Sequence, residues 1–431
     1  MKLTEIKNDL LGERYYTATH PSGLQILLIP RKSKTFYAVY GARVGSIDCS
    51  FSLDGEAQYV DLPDGIAHFL EHKMFECEEG DAFLRYSETG ASANAYTSFD
   101  KTCYLFSCTD HFYDNLDILL DFVQRPYYTK ETVDKEQGII GQEIKMYEDD
   151  PGWSLYQNLR EALYHANPIR VDIAGTVESI SHITPELLYR CYETFYNPAN
   201  MVLSLCGDFD VGEALGFIEP RIKDVKPKTF TSRPFTEPRE VLQKRVERRM
   251  PVAKPMIEIG YKCPVPTDKK QSLLENTAAN VALEALFGHA SRFYCDHYDA
   301  GDFSANFEAG YHHVRNARYA IIEGETDDPE KFEKLVREHL AEAKKTGLSP
   351  DDFEIARRKL YGDEVRSFEA TDEIAEYALN TALTGDRLFD WFDTVRALTV
   401  ETCNEVLRRL FDEDASAVSV VLPLNEKEVS L

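Results

Sequence analysis

Along the chain, apolar and polar residues switch between a period of two and a period near four, which predicts strands interleaved with helices in both halves. Residues Gly23–Ile29 and Phe36–Val44 are rich in β-branched and aromatic side chains and read as strands. Residues Asn94–Phe99 and Thr102–Ser107 read as paired strands around Asp100-Lys101. Helical spacing starts after Asp110, a candidate capping residue, and stops before Pro126. It resumes from about Lys130 to Tyr147, where Asp149-Asp150-Pro151 ends it. Thr184-Pro185 supplies a capping hydroxyl and a proline at the first helical position, and that helix leads into a strand over Met201–Cys206.

The middle of the chain is polar and proline-rich, with Pro220, Pro227, Pro234 and Pro238, and reads as a stiff, extended linker. The two sides of it are alike. The segment ISHITPELLYRCYETFYNPANMVLSLCG, capped by Thr184, is echoed by VRALTVETCNEVLRRLFDEDASAVSVVLP, capped by Thr399, an offset of 215 residues. We therefore expect an α+β protein of two homologous domains related by internal duplication, each a mostly antiparallel sheet packed with helices. The expected division is residues 1–218, a linker over 219–245, and residues 246–431.

Composition narrows the function. With 48 basic and 74 acidic side chains the formal net charge is -26, which argues against binding nucleic acid or an anionic membrane. It also suits attraction of basic peptides. No apolar run is long enough to span a bilayer, and the N-terminal segment has no signal-peptide core, so the expectation is a cytoplasmic protein. Nine cysteines, scattered and without C-x-x-C spacing, read as free thiols of a reducing compartment.

The chemistry concentrates in His68-Phe69-Leu70-Glu71-His72. On a helix, residues four apart share a face, so His68 and His72 can reach one metal ion while Glu71 stands beside it. Neutral imidazoles hold such an ion, and an unligated carboxylate takes a proton from water. This order, H-x-x-E-H, is the inverzincin signature. The internal repeat tests the motif: shifted by 215, His68, Glu71 and His72 fall on Leu283, Leu286 and Phe287, so the second copy keeps an apolar helix and lacks the chemistry. A catalytic zinc needs a third protein ligand. The candidates are Glu136 and Glu143, two turns apart on one face of KETVDKEQGIIGQEIKMYEDD; a solvated acidic stripe is the alternative reading of that face.

H-x-x-E-H followed about 70 residues later by a helix with E-x6-E resembles the insulinase and pitrilysin family of zinc peptidases, in particular its short, two-domain, processing-peptidase-like branch. HFLEHKMFE and KEQGIIGQEIKMYEDDP are similar to the bacterial members associated with elongation factor P 5-aminopentanol modification. The resemblance implies one Zn2+ per chain held by His68, His72 and Glu143, with Glu71 as general base and Glu136 as an auxiliary acidic residue. It also implies that Ala93, Asn94, Ala95 and Thr97, in GASANAYTSFDKTCYLF, form an edge strand to which peptide substrate adds. The family commonly carries an Arg and, seven residues on, a Tyr in the second half. Here Tyr298 stands near the expected Arg with no Tyr seven residues on, while Arg292 and Tyr294 lie nearby and are expected to face the core or solvent. The implied assembly is a heterodimer in which a homologous second subunit supplies the Arg/Tyr pair. The implied activity is a zinc metalloendopeptidase; the alternative is a non-proteolytic structural or maturation-partner subunit that retains the motif. His312-His313 has no carboxylate or cysteine at ligand spacing.

Overall fold

The protein is described from a computed structural model covering residues 1–78 and 80–425. It is a mixed α+β protein whose chain divides into two compact units. The first comprises residues 1–144, 172–234 and 364–389, and the second residues 145–171, 235–363 and 390–431.

The first unit is built on a seven-stranded sheet in the order Thr4–Asn8, Glu13–Thr19, Gln25–Pro30, Met201–Gly207, Phe36–Ala42, Thr102–Cys108 and Ser92–Thr97. Every pairing is antiparallel except that of Met201–Gly207 with Gln25–Pro30. The second unit has five strands in the order Arg245–Met250, Ser416–Pro423, Met256–Cys263, Ala317–Glu325 and Glu308–Val314. Its single parallel pair, Arg245–Met250 with Ser416–Pro423, is the counterpart of Gln25–Pro30 with Met201–Gly207. The second sheet therefore repeats the last five strands of the first, strand for strand, as duplication requires.

The predicted elements lie close to where periodicity puts them, with two differences. The helix expected after Asp110 is Phe112–Phe122, and its N-cap is His111, in the left-handed region at φ 54, rather than Asp110; the Asp110 carboxylate accepts from the His111 N–H instead. Within the proline-rich segment, Phe230–Ser232 forms a short strand on Ser50–Leu53.

Repeat boundaries and compact units diverge because each half contributes one helix to the other unit. Helix Pro151–Leu163, from the first half of the sequence, packs on the five-stranded sheet; helix Thr371–Thr384, from the second half, packs on the seven-stranded sheet. The two contacts are equivalent. Leu379 lies against Gly41, where a Cβ would meet its methyls at 3.1 Å, and Leu159 lies against Gly260, where a Cβ would meet its side chain at 2.8 to 3.0 Å. A glycine in the central strand lets each helix seat at short range. Tyr37 and Tyr96 both donate to the Glu376 carboxylate, at 2.8 and 2.7 Å, and fix the Thr371–Thr384 helix.

The Gly260 contact is open to a stability test. Gly260→Ala should destabilise the protein by about 1–3 kcal/mol through overpacking against Leu159, and the loss in Gly260→Ala/Leu159→Ala should be smaller than the sum of the two single losses, measured by urea unfolding. Strict additivity would contradict the contact.

Candidate metal centre

The motif helix, Ile66–Met74, starts at Gly65, whose φ of 89 and position 2.3 Å from the Ala174 carbonyl oxygen, were it to carry a Cβ, exclude other residues. Ile66, Ala67, Phe69, Leu70 and Met74 are buried and seat it in the core of the first unit. That orientation brings His68, Glu71 and His72 round to the acidic helix, Lys130–Glu148. On that helix Val133, Glu136, Ile140 and Ile144 are buried, whereas Ile139 is exposed, so the core-facing stripe passes through Glu136 and leaves Glu143 at its margin.

The Nε2 atoms of His68 and His72 converge on the Glu143 carboxylate, at 3.6 and 3.4 Å. All three candidate ligand atoms lie within 4.8 Å of one another, and this is the one such cluster among the described residues. Tetrahedral zinc with its usual bond lengths separates ligand atoms by about 3.3 Å, so the donor set fits the ion in type and in spacing.

The surroundings prepare these donors. His72 Nδ1 lies 3.0 Å from Glu136 Oε1, an arrangement in which Nδ1–H donates to the carboxylate and Nε2 keeps its lone pair for a metal. Burial opposes a charge on His72, but that hydrogen bond and the charges of Glu71, Glu143 and Glu136 outweigh it and raise its pKa. His68 is the opposite case. Burial, with a smaller contribution from His72, pushes its pKa down to about 3, so its ring stays neutral and available as a ligand. Its Nδ1 is buried and makes no hydrogen bond among the described residues, so packing orients this ring.

Burial lifts Glu71 to about 7, an effect that His72 and the Thr97 hydroxyl partly counter. Thr97 Oγ1 donates to Glu71 Oε2 at 3.2 Å. Burial likewise raises Glu143, with Glu136 and Asp172 adding to it against His72.

Thr97 ends the strand Ser92–Thr97, which lies at the margin of the seven-stranded sheet and pairs only with Thr102–Cys108 among the described residues. Ala93 and Ala95 are partly buried on the core, and the Asn94 side chain accepts from the Ala95 N–H. Sequence reasoning placed Thr97 on a substrate strand and missed its bond to Glu71. It also missed Lys73, fully buried, whose ammonium reaches Glu76 and the Thr132 carbonyl at 3.4 Å, tying the motif helix to the first turn of the acidic helix. A lysine between Leu70 and Met74 on an otherwise apolar helix face was the available signal.

Elsewhere, Leu283, Leu286 and Phe287 are all buried in helix Lys269–Phe287, so the second copy of the motif position is apolar core. On helix Arg292–Asp299, Arg292 points to solvent and Tyr298 is exposed, while Tyr294 stacks between His289 and Tyr298. His312 stacks on Tyr319, and burial holds its pKa down at about 4.

If Glu136 fixes the His72 tautomer, Glu136→Gln should weaken zinc binding by about 10- to 100-fold in a chelator competition. Wild-type affinity should also fall as pH drops below neutral, because the raised His72 pKa makes the proton a stronger competitor for the ring. Unchanged affinity in Glu136→Gln would contradict the clamp.

The chain is similar to known proteins over nearly its whole length. The family model "Insulinase (Peptidase family M16)" matches residues 59–177, and "Peptidase M16 inactive domain" matches residues 182–360. The chain is 38% identical over 427 residues to the uncharacterized zinc protease YmfH of Bacillus subtilis, covering 97% of this chain and 99% of that protein. It is 24% identical over 381 residues to the uncharacterized zinc protease YmxG of the same organism, covering 84% and 88%. The crystal structure of a putative M16-like peptidase from Alicyclobacillus acidocaldarius superposes with a TM-score of 0.92 at 37% identity, covering 95% of this chain and 98% of that one. With the paired domains, the inverted motif and the Glu143 helix in place, the chain belongs to the insulinase family, peptidase family M16.

Proposed function

We propose that the protein is a zinc-dependent metalloendopeptidase acting on extended peptides or flexible protein segments. The observation that carries this reading is the convergence of His68 Nε2, His72 Nε2 and the Glu143 carboxylate beside an unligated, buried Glu71. His68, His72 and Glu143 would hold a zinc ion, which would supply Lewis-acid polarisation of a scissile carbonyl and acidify bound water. Glu71 takes the proton from the attacking water and returns it to the leaving amine, and its burial raises its affinity for that proton. Thr97 holds the Glu71 carboxylate, and Glu136 holds the His72 ring. Substrate pairs with the free edge of Ser92–Thr97, where Ala93, Asn94, Ala95 and Thr97 lie; main-chain pairing selects for an extended backbone more than for sequence. The net charge of -26 favours a basic peptide.

We further propose a heterodimer with a non-identical homologue that supplies the Arg/Tyr pair. The support is on helix Arg292–Asp299 and beyond: Tyr298 is exposed there and Ala305 stands seven residues on, so this chain lacks the pair at its usual spacing. The same lack favours the second reading, a non-proteolytic subunit that retains the zinc motif. A cytoplasmic location accords with nine free cysteines, six of them buried, and with no helix among the described residues long and apolar enough to cross a membrane.

Glu71→Gln should retain zinc at the wild-type level and lose peptide hydrolysis by a factor of about 100 or more, read by metal analysis and a peptide-library cleavage assay run with and without the homologous partner. Undiminished turnover would remove Glu71 as the base. Full zinc loading with no cleavage by the wild-type chain in either condition would favour the non-proteolytic subunit.

A further inference from the structure

The glycine contacts that seat the two exchanged helices allow the two sheets to be compared residue by residue. Gly41 and Gly260 hold equivalent places in the strands Phe36–Ala42 and Met256–Cys263, and two residues before them stand Val39 and Glu258. Their cross-strand neighbours correspond too. Val39 is flanked by Ser204 and Leu105, and Glu258 by Ser419 and Glu323; the two serines stand at the 215-residue offset of the repeat. One place in the fold is thus filled by two apolar side chains in the first unit and by two carboxylates in the second. The fold itself does not demand acid there.

Glu258 is fully buried, and neither of its carboxylate oxygens makes a hydrogen bond among the described residues. Residues two apart on a strand share a face, so Glu258 lies on the side of the sheet that Leu159 of helix Pro151–Leu163 covers. Charged and titratable groups face that side from each neighbouring element. Glu323 and Glu325 come from the adjacent strand, Glu308 and His312 from the strand beyond it, and Lys262 from farther along Met256–Cys263. Arg248 reaches in from Arg245–Met250 and donates to Ser154 of the helix at 3.1 Å. Arg160, on the helix, is fully buried, with its guanidinium 3.3 Å from the Tyr156 ring centroid and its Nη2 donating to Gln157 at 2.6 Å. Burial, with Glu323 adding to it and Arg160 opposing it, pushes the pKa of Glu258 up to about 8.

We infer that Glu258 is a proton-operated catch beneath helix Pro151–Leu163: as a neutral acid it lets the helix close over the sheet, and on ionising it loosens that seat. An ionised carboxylate there accepts no hydrogen bond and faces Glu323, so water relieves it, and the helix must part to admit water. The sign follows from proton binding. An ordinary Glu releases its proton near 4.5, and folded Glu258 keeps it to about 8. The stability that goes with the neutral acid is therefore complete below that interval and falls as pH rises through it, by about tenfold in the opening equilibrium per pH unit. This catch is independent of the peptidase reading.

The test is hydrogen exchange of the backbone amides of Pro151–Leu163 in the full chain at about pH 6 and about pH 8, corrected for the intrinsic exchange rate. Opening of the helix in the wild type should increase by about tenfold or more between the two, and Glu258→Gln should abolish the increase. Glu258→Val, which copies Val39 of the first unit, should do the same even if Glu258→Gln fails to fold. Infrared spectroscopy at neutral pH should show a protonated carboxyl in the wild type that is lost in Glu258→Val. The inference is overturned if wild-type opening does not increase, if either variant keeps the increase, or if wild type and Glu258→Val have the same carboxyl absorption.

Discussion

The structure of the first unit turns on an electrostatic constraint: Glu71, Glu136 and Glu143 are gathered beside two imidazoles at the edge of an apolar core. Carboxylates in that position carry a desolvation cost, which appears as the raised pKa of Glu71 and Glu143. Under the proposed function a divalent cation offsets that cost and makes the cluster a site. The surrounding elements follow from the need to hold it. Buried apolar residues seat the motif helix, Lys73 pins it to the acidic helix, and Glu136 and Thr97 each engage a side chain of the motif. Under that proposal the roles divide cleanly, since Glu136 acts on a ligand and Thr97 on the base.

Much of this was legible in the sequence because it is periodic. Spacing of four and seven residues on helices placed His68, His72, Glu136 and Glu143 on two faces, and the 215-residue echo announced two sheets of one topology. The apolar Leu283, Leu286 and Phe287 showed that the fold itself does not demand His and Glu at that position. What the sequence hid depends on contacts across long separations. Nothing local says that Thr97 reaches Glu71, or that Ile139 turns outward while Ile140 turns in. His111 takes the cap in place of Asp110 because the backbone there enters the left-handed region, which polar-residue spacing does not report.

The exchange of helices was hidden for the same reason. Pro151–Leu163 and Thr371–Thr384 are amphipathic in sequence, yet amphipathicity does not say which sheet they cover. Leu159 over Gly260 and Leu379 over Gly41 answer that, and they make each compact unit depend on residues from both halves of the chain. The acidic helix ends at Glu148 and the exchanged helix begins at Pro151, so the segment bearing Glu143 is followed almost at once by one anchored in the second unit's core. In the second unit the position of the zinc motif has become packing, while a buried acid, Glu258, stands on the sheet beneath the exchanged helix.

The central claim is that His68, His72 and Glu143 together hold zinc, and the most direct measurement is X-ray absorption at the zinc edge on the purified full-length chain. The account predicts about one zinc per chain, bound by two imidazole nitrogens and by oxygen with no sulfur scatterer, and loss of that signal in His68→Ala. Sulfur in the coordination shell, or zinc retained unchanged in His68→Ala, would contradict it.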